Sequence, residues 1–245
     1  MSFSVILPTL NEKGHILKLI EEISNIFEIN KINYEIIVVD DNSNDGTYEV
    51  IENFKKNNAN VKTILRQNKK KSLPSSLNEG ISLSKYENLI WMDADFQHPP
   101  KYIKNFIEKS KNFDVIISSR FLEASDRYFN NNALKKEINE NQSYFFNKLC
   151  RILLFRDITD YTSGYICIKK KFFNNYYLQG YYGDYFVNMI VELKIKKAKI
   201  IEIPFKDAVR ASGTSKTLVT INFKYIYTCF RYLMTLMKSF FIKFR

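Results

Sequence analysis

Apolar runs rich in Val, Ile and Leu alternate with amphipathic segments along the first half of the chain, and this alternation strongly limits the possible folds. The runs predict strands near residues 3–7, 35–39, 61–65 and 88–92. The segments between them carry apolar residues at helical spacing, near 16–27, 47–57 and 73–85. Such alternation predicts an α/β fold with a mostly parallel sheet, whose binding groups lie at the carboxyl ends of the strands.

The second half of the chain is less regular. Strands are predicted near 114–118, 165–169 and 199–203, and helices near 100–110, 143–156 and 184–196. The segment 122–142 is polar and rich in Asn and Lys, so we expect a mobile loop there.

The composition limits the class of protein. With 245 residues, 45% of them apolar, the chain has enough material for one large domain, with or without an appendage. The formal charge of +11 suits nucleic acid, an anionic membrane or a phosphorylated substrate as partner. Because no nucleic-acid-binding motif is present, we expect no nucleic acid partner. Three widely separated cysteines suggest a reducing compartment, and no apolar run reaches the roughly 18 residues of a transmembrane helix.

Two carboxylates stand directly after the predicted strand at 88–92. Asp93 and Asp95 are separated by one residue, and the side-chain amide of Gln97 follows. Hard oxygen ligands of this kind suit Mg²⁺ or Mn²⁺, which often retain waters and take substrate phosphates as further ligands. The motif alone fits equally a strand that ends in a polar turn before a helix, so both interpretations stay open here.

Charged side chains also follow the neighbouring strands. Asp40 and Asp41 end the second strand, where they either bind a ribose or base or form an Asx turn and helix cap. Arg66 and the run Lys69–Lys71 follow the third strand on the same predicted edge. These cations either neutralise a diphosphate or lie in solvent.

Three basic residues in the second half are candidates for phosphate binding. Arg120 follows a predicted strand, whereas Arg210 and Lys216 flank a Gly-Thr-Ser turn. A loop that carries Arg, Gly, Ser and Lys after a sheet is typical of a lid that closes over phosphates.

Six motifs occur in order and together resemble family 2 glycosyltransferases, in particular the dolichyl- and polyprenyl-phosphate mannosyl- and glucosyltransferase branch. The motifs are Pro8-Thr9-Leu10-Asn11-Glu12, Val39-Asp40-Asp41-Asn42-Ser43-x-Asp45-Gly46-Thr47, Met92-Asp93-Ala94-Asp95-Phe96-Gln97-His98-Pro99-Pro100, Ser119-Arg120-Phe121, Thr162-Ser163-Gly164-Tyr165 and Arg210-x-x-Gly213-x-Ser215-Lys216. The resemblance implies a GT-A fold, which is Rossmann-like and binds nucleotides. It also implies an inverting, metal-dependent enzyme that moves a sugar from GDP-mannose or a UDP-hexose to a polyprenyl or dolichyl phosphate.

The resemblance assigns roles to residues of this chain. Contacts with the nucleotide sugar are implied for Pro8, Leu10, Glu12, Val39, Asp41, Lys71, Ala94, Asp95, Arg120, Arg210 and Lys216. The resemblance implies that Asp93, Asp95 and Gln97 bind Mg²⁺ or Mn²⁺. It implies catalytic roles for Asp95 and Arg120. Leu10 departs from the family pattern, since Tyr is common there. The usual Gly-rich segment is also replaced, by Lys71-Ser72-Leu73-Pro74-Ser75-Ser76.

The acceptor decides whether a general base is needed. A lipid phosphate is already an anion near neutral pH, because the second pKa of a phosphomonoester is about 6. A hydroxyl acceptor needs a carboxylate base, for which Asp184 is the candidate. The alternatives to a lipid-phosphate glycosyltransferase are therefore an enzyme that uses a hydroxyl of a cell-surface glycan, and a non-catalytic nucleotide-sugar-binding protein.

The C-terminal segment 217–245 has its own pattern. Basic residues recur every seven positions among aromatic and aliphatic ones, at Lys224, Arg231, Lys238 and Arg245. This pattern predicts an amphipathic helix in a membrane interface, or else a helix that packs on the domain or on a second copy. We expect a GT-A domain at 1–216, with a nucleotide-sugar half (1–97) and an acceptor half (98–216), peripheral on the cytoplasmic face of a membrane.

Overall fold

The computed structural model describes residues 1–122, 138–206, 208 and 223–244. The strands in this part are β1 (Ser2–Thr9), β2 (Asn33–Asp40), β3 (Val61–Leu65), β4 (Asn88–Trp91), β5 (Val115–Ser119), β6 (Ile166–Lys169) and β7 (Ile200–Pro204). The α-helices are α1 (Ile16–Ile29), α2 (Thr47–Lys55), α3 (Leu73–Leu83), α4 (Ile103–Lys109), α5 (Ile138–Leu153), α6 (Tyr185–Ile195) and α7 (Phe223–Lys243).

All seven strands form one sheet in the order β3-β2-β1-β4-β6-β5-β7. The first four are parallel, β7 is parallel to β5, and β6 alone runs antiparallel to its neighbours β4 and β5. The mostly parallel sheet predicted from the sequence is thus confirmed. Because β6 is reversed, its start lies where β4 and β5 end, and Ile166 pairs with both Trp91 and Ile117. The residues just before β6 therefore reach the carboxyl edge of the sheet.

Helices cover both faces of the sheet, which is why its strands are apolar on both sides. Along β1, the fully buried Phe3, Val5 and Leu7 pack with α1, whereas Ile6 faces the opposite side and packs with α3 and α6. Gly80 allows α3 to approach closely, because a Cβ there would lie only 2.4 Å from Cγ2 of Ile6. The core thus consists of two layers, one on each face of the sheet.

Most predicted elements agree with the structure to within two or three residues. The main correction concerns the segment expected as a mobile loop at 122–142: residues from Ile138 on belong to α5, which begins five residues before the predicted helix at 143–156. The remaining part of that segment, 123–137, lies outside the described residues. The helix near 100–110 also differs slightly, since it opens with a 3-10 turn at Pro100–Tyr102 before α4.

The C-terminal helix α7 packs on the domain along α6. Leu236 and Ser239 are fully buried, and the Ser239 hydroxyl donates a 2.5 Å hydrogen bond to Oδ1 of Asn188. One of the sequence-based alternatives, a helix that packs on the domain, therefore describes one side of α7. In the described part of the chain, no helix is both long enough and apolar enough to span a bilayer.

Candidate active site

The candidate site lies along the carboxyl edge of the sheet, where the loops after β1, β2, β3, β4 and β5 converge. Thr9 at the end of β1 pairs with Asp40 at the end of β2, and Asp40 pairs with Leu65 at the end of β3. Trp91 ends β4 beside Ile6 of β1. The motifs that follow these strands in sequence are therefore neighbours in space.

Hydrogen bonds tie the loop after β1 to the loop after β2. The Asn11 amide donates to Oγ of Ser43 at 2.8 Å, and the Asn44 amide donates to Oδ1 of Asn11 at 3.0 Å. Asn11 and Asn42 both have positive φ, 60° and 59°, a conformation that Asn tolerates better than most side chains. These two exposed Asn residues thus help to set the conformation of the loops after β1 and β2.

Asp40 and Asp41 have different surroundings. Asp40 is a turn-forming residue, because its carboxylate accepts hydrogen bonds from the Ser43 amide (2.8 Å) and from the hydroxyls of Thr9 (3.1 Å) and Ser43 (2.6 Å). The alternative in which the carboxylate stabilises the turn after β2 therefore holds for Asp40. Asp41 comes one residue later, and its carboxylate lies on the edge between the loops after β2 and β3.

Arg66 holds Asp41 in place from the third strand. Its Nη1 donates to Oδ1 of Asp41 at 2.5 Å, and the Ser72 amide donates to Oδ2 at 2.9 Å. Arg66 is 2% exposed and also pairs with Glu79 at 2.9 Å. Burial raises the pKa of Asp41, while Arg66 and the Ser72 amide lower it less. Arg66 is thus an internal ion-pair partner, and neither a surface residue nor an exposed diphosphate ligand.

The basic loop after β3 leans over the same edge. Lys71 is exposed and its Nζ lies 3.1 Å from the carbonyl oxygen of Asn42, directly after Asp41. Lys70 lies over the ring of Tyr181, 5.5 Å from its centroid. The charge of Lys71 therefore acts on the Asp41 carboxylate, and this edge is a place where an anionic ligand would be attracted.

The remaining candidates for nucleoside contact differ in accessibility. Pro8 and Leu10 are partly buried at the end of β1, whereas Glu12 is buried and lies 2.9 Å from Nε2 of His15. The Glu12 amide donates to Oγ1 of Thr47 at 2.8 Å, which fixes the start of α2. The side chain of Val39 is fully buried in the core beneath α3, so only its main chain faces the edge.

The turn after β4 presents the two candidate metal-binding carboxylates. His98 shapes it by accepting the Asp93 amide proton on Nδ1 at 2.9 Å, and its ring stacks on Tyr165 with centroids 4.9 Å apart. Oδ1 of Asp95 accepts the Gln97 amide at 3.0 Å. Phe96 has a φ of +66°, a strained conformation for an aromatic residue.

The donor set of this turn fits a divalent metal that is shared with a substrate. Asp93 is partly exposed, whereas Asp95 and Ala94 are buried, 4% and 3% exposed. No third His, Cys, Asp or Glu joins the two carboxylates among the residues the structure describes. Mg²⁺ is commonly bound by one or two carboxylates plus substrate phosphates, so the oxygen atoms of Asp93, Asp95 and Gln97 suit it.

Arg120, directly after β5, is fixed by Asp160. The guanidinium forms a bidentate pair, Nε to Oδ2 and Nη2 to Oδ1, both 2.8 Å, and Nη2 also donates to Oγ1 of Thr162 at 2.7 Å. Burial by itself raises the pKa of Asp160, but the charge and hydrogen bonds of Arg120 lower it more. Sequence reasoning missed Asp160, although it lies only two residues before the Thr162-Ser163-Gly164-Tyr165 motif.

Glu202 on β7 supports this pair from behind. Its two carboxylate oxygens accept the amides of Thr159 at 2.8 Å and Asp160 at 3.0 Å. Burial raises the pKa of Glu202 to about 7, against the hydrogen bonds from these amides, which lower it. Nothing in the sequence identified Glu202, because the residue gains its role only through the pairing of β7 with β5.

Asp184, the candidate base, lies at the start of α6 and is 3% exposed. Oδ1 accepts the amides of Tyr181 (3.0 Å) and Tyr182 (2.8 Å), and Oδ2 lies 3.2 Å from Nη2 of Arg231 on α7. The next residue, Tyr185, accepts a 3.0 Å hydrogen bond from the indole of Trp91 and so connects this turn to the end of β4. The last two phosphate-binding candidates, Arg210 and Lys216, lie outside the described residues.

A family model and the similar known proteins point to the same family of enzymes. The model for glycosyl transferase family 2 matches residues 4–177. A dolichol-phosphate mannosyltransferase of Pyrococcus furiosus is 31% identical over 239 residues, and the match covers 97% of this chain and 64% of that protein. A dolichol-phosphate mannosyltransferase of Mycosarcoma maydis is 26% identical over 92% of this chain and 76% of that protein. This chain thus spans less than two thirds of the length of the first relative.

Solved structures show the same fold. Glucosyl-3-phosphoglycerate synthase of Mycobacterium tuberculosis, in complex with Mn²⁺, uridine diphosphate and glucosyl-3-phosphoglycerate, matches with a TM-score of 0.68 at 13% identity over 97% of this chain and 79% of that chain. The same enzyme with Mg²⁺ and uridine diphosphate gives a TM-score of 0.66 at the same identity and coverage. The expected GT-A-like fold is confirmed, and the chain belongs to glycosyl transferase family 2.

Proposed function

We propose that this protein is an inverting glycosyltransferase that moves a sugar from GDP-mannose or a UDP-hexose to a polyprenyl or dolichyl phosphate. The observation that carries this proposal is the convergence of Asp41 and the Asp93–Asp95 turn on one edge of the sheet. The names of the relatives in Pyrococcus furiosus and Mycosarcoma maydis support the choice of a lipid phosphate acceptor.

In this proposal, the nucleoside lies between the loops after β1 and β2. Asp41 accepts hydrogen bonds from the ribose or base, with Arg66 keeping its carboxylate oriented. Pro8 and Leu10 contribute apolar contacts, Glu12 contributes its carboxylate, and Val39 contributes its main chain. Lys71 faces the diphosphate.

Asp93, Asp95 and Gln97 would hold Mg²⁺ or Mn²⁺ together with the diphosphate of the donor. A divalent metal there supplies electrostatic stabilisation of the charge that develops on the leaving diphosphate. Solved relatives of this fold contain Mn²⁺ or Mg²⁺ with uridine diphosphate, which supports metal use by this chain. Ala94, buried between the two carboxylates, lies at the donor sugar.

Arg120 is the residue we assign to the reacting phosphate. A guanidinium that is already oriented by Asp160 loses little freedom when it binds an anion, so it stabilises charge at low entropic cost. Arg210 and Lys216, to which the resemblance assigns contacts with the nucleotide sugar, would add positive charge.

The acceptor phosphate acts as nucleophile without a base. Asp184 is engaged by two backbone amides and by Arg231, which suits a turn-stabilising carboxylate better than a proton acceptor. A phosphomonoester needs no proton removed at neutral pH, since its second pKa is about 6. The membrane surface would deliver this acceptor to the protein from the cytoplasmic face, and nucleic acid has no part in the proposal.

The test is release of nucleoside diphosphate from a panel of GDP- and UDP-sugars, with Mn²⁺ or Mg²⁺, in the presence and absence of polyprenyl phosphate. We expect release that requires both the metal and the lipid, and loss of at least about 100-fold in Asp95→Asn because charge stabilisation is lost. Asp157→Asn is the matched control, since Asp157 is mostly exposed and pairs only with Lys194 in the described contacts. Nucleoside diphosphate release that is independent of the lipid and requires a glycan would favour the hydroxyl-acceptor enzyme. Binding of the nucleotide sugar without release would favour a nucleotide-sugar-binding protein.

A further inference from the structure

The outward side of α7 is apolar over most of its length. Eight large apolar side chains are at least two fifths exposed and recur at helical spacing: Ile226, Tyr227, Phe230, Leu233, Met234, Met237, Phe241 and Phe244. A contiguous apolar face of this kind on the surface of a protein is a site of interaction with a partner or a membrane. We refer to these eight residues as the apolar face of α7.

Residues on the inward side of the same helix contact the turn that precedes α6. Nη2 of Arg231 lies 3.2 Å from Oδ2 of Asp184, and its guanidinium lies 5.0 Å from the centroid of the Tyr181 ring. The helix comes so near that a Cβ on Gly183 would lie 2.6 Å from the hydroxyl of Tyr232. We refer to residues 180–184 as the α6 turn.

Two contacts connect the α6 turn with the candidate site. The ring of Tyr181 lies near two cations: the Arg231 guanidinium, 5.0 Å from its centroid, and Nζ of Lys70 from the basic loop after β3, 5.5 Å from it. Tyr185 accepts the indole hydrogen bond of Trp91, two residues before Asp93. A displacement of α7 would therefore change the position of the α6 turn and, through Tyr185, that of the end of β4.

The charge around the apolar face selects a lipid surface over other partners. Lys238 is exposed on the margin of the face, 3.2 Å from Oε1 of Gln179, and the whole chain carries a formal charge of +11. Helices with an apolar face bordered by basic residues lie in the headgroup region of anionic bilayers, where each basic residue near the surface adds attraction. A second copy of this chain would instead bring two strongly positive molecules together.

We propose that the apolar face of α7 binds an anionic lipid bilayer, and that Arg231, on the other side of the helix, transmits this binding to the α6 turn. Arg231 is a positioning residue: it holds Asp184, and Asp184 holds the amides of Tyr181 and Tyr182. Binding of α7 to lipid stabilises the helix and with it the turn, so the site is ordered where a lipid acceptor is at hand. The proposal rests on the proposed function for its biological purpose, but its physical content is independent of the acceptor.

The first test measures co-sedimentation with vesicles of phosphatidylcholine and phosphatidylglycerol, and with vesicles of phosphatidylcholine alone. The wild type should bind the anionic vesicles more tightly, and the double variant Phe230→Ser/Phe241→Ser should bind at least about tenfold more weakly, because two exposed aromatic side chains no longer enter the interface. Ile29→Ser, at an exposed apolar residue on α1, is the matched control and should bind as the wild type does. Equal binding by the double variant would overturn the proposal, as would a wild-type dimer that the double variant converts to a monomer in light scattering.

The second test measures hydrogen exchange of the Tyr181 and Tyr182 amides with and without anionic vesicles. In the wild type, vesicles should slow this exchange by at least about fivefold, since the opening of the turn becomes less frequent. Arg231→Gln should still bind vesicles but lose this response, and Arg231→Lys should recover part of it. A wild-type turn that does not respond to vesicles would overturn the coupling. If instead the wild type binds vesicles and responds at the turn but transfers no sugar to polyprenyl phosphate, the proposed function fails and this inference is supported.

Discussion

Asp160 holds Arg120 through two parallel hydrogen bonds of 2.8 Å, and Asp160 itself is completely buried. The pair joins two strands that are distant in sequence, because Arg120 follows β5 and Asp160 precedes the reversed strand β6. The pair lies at the carboxyl edge of the sheet, where β4, which precedes the Asp93–Asp95 turn, also ends. An Arg120 that is fixed in this way needs little reorganisation to bind a phosphate.

We therefore expect Asp160→Asn to lower activity and stability together. Removal of one partner leaves Arg120 without its counter-charge, and such losses cost about 3–5 kcal/mol where the pair is buried. Because Arg120 is partly exposed, we expect the lower part of that range. Urea unfolding and the nucleoside diphosphate release assay measure the two effects, with Asp157→Asn as control. Unchanged release in a folded Asp160→Asn protein would show that the orientation of Arg120 is not needed.

The surroundings of Glu202 predict a dependence of stability on pH. Because burial raises its pKa from the usual 4.5 to about 7, Glu202 favours the folded state below pH 4.5 and this contribution is lost as the pH rises through 7. The full difference is at most about 3 kcal/mol, from 1.36 kcal/mol per pKa unit. The pKa of Asp160 is shifted the opposite way, so its contribution is lost only at low pH.

The measurement is the free energy of unfolding of the wild type and of Glu202→Gln between pH 5 and pH 8. The wild type should lose stability relative to the variant as the pH rises, because the variant has no carboxyl group to ionise there. Glu108→Gln on the exposed surface of α4 serves as control and should run parallel to the wild type. Parallel curves for Glu202→Gln and the wild type would contradict the raised pKa.

The contact between α3 and the sheet predicts unequal effects of two glycine substitutions. Gly80→Ala places a Cβ 2.4 Å from Cγ2 of Ile6 and 3.3 Å from Cγ2 of Val39, so the helix must shift away from β1 and β2. Overpacking of this kind costs about 1–3 kcal/mol. Gly14→Ala meets no atom within 4 Å and is the matched control. Thermal unfolding compares the two, and equal melting temperatures would show that α3 has room to move.

Local patterns in the sequence predict the strands, most helices and the polar residues at the sheet edge, because hydrophobic periodicity and strand-end carboxylates are properties of neighbouring residues. The partners of those residues could not be predicted in the same way. Arg66 reaches Asp41 across 25 positions, and Glu202 reaches Asp160 across 42, so their roles depend on which strands pair. Asp160 reaches this edge because β6, which follows it, runs antiparallel to its neighbours. No local pattern in the sequence specifies the direction of β6.

Asp184→Asn distinguishes the two possible classes of acceptor. Asn keeps a carbonyl oxygen that accepts the amides of Tyr181 and Tyr182, so the turn should survive, while the charge pair with Arg231 is lost. With a lipid phosphate as nucleophile, we expect kcat to fall by less than about tenfold and the pH profile of kcat to keep its shape, because no proton passes to this residue. With a hydroxyl acceptor, removal of the base should lower kcat by about 100-fold or more and abolish the acidic limb of the profile. The pH profiles of the wild type and Asp184→Asn, measured with the same donor, decide between these outcomes. Asp157→Asn shows the effect of losing a carboxylate at an exposed position.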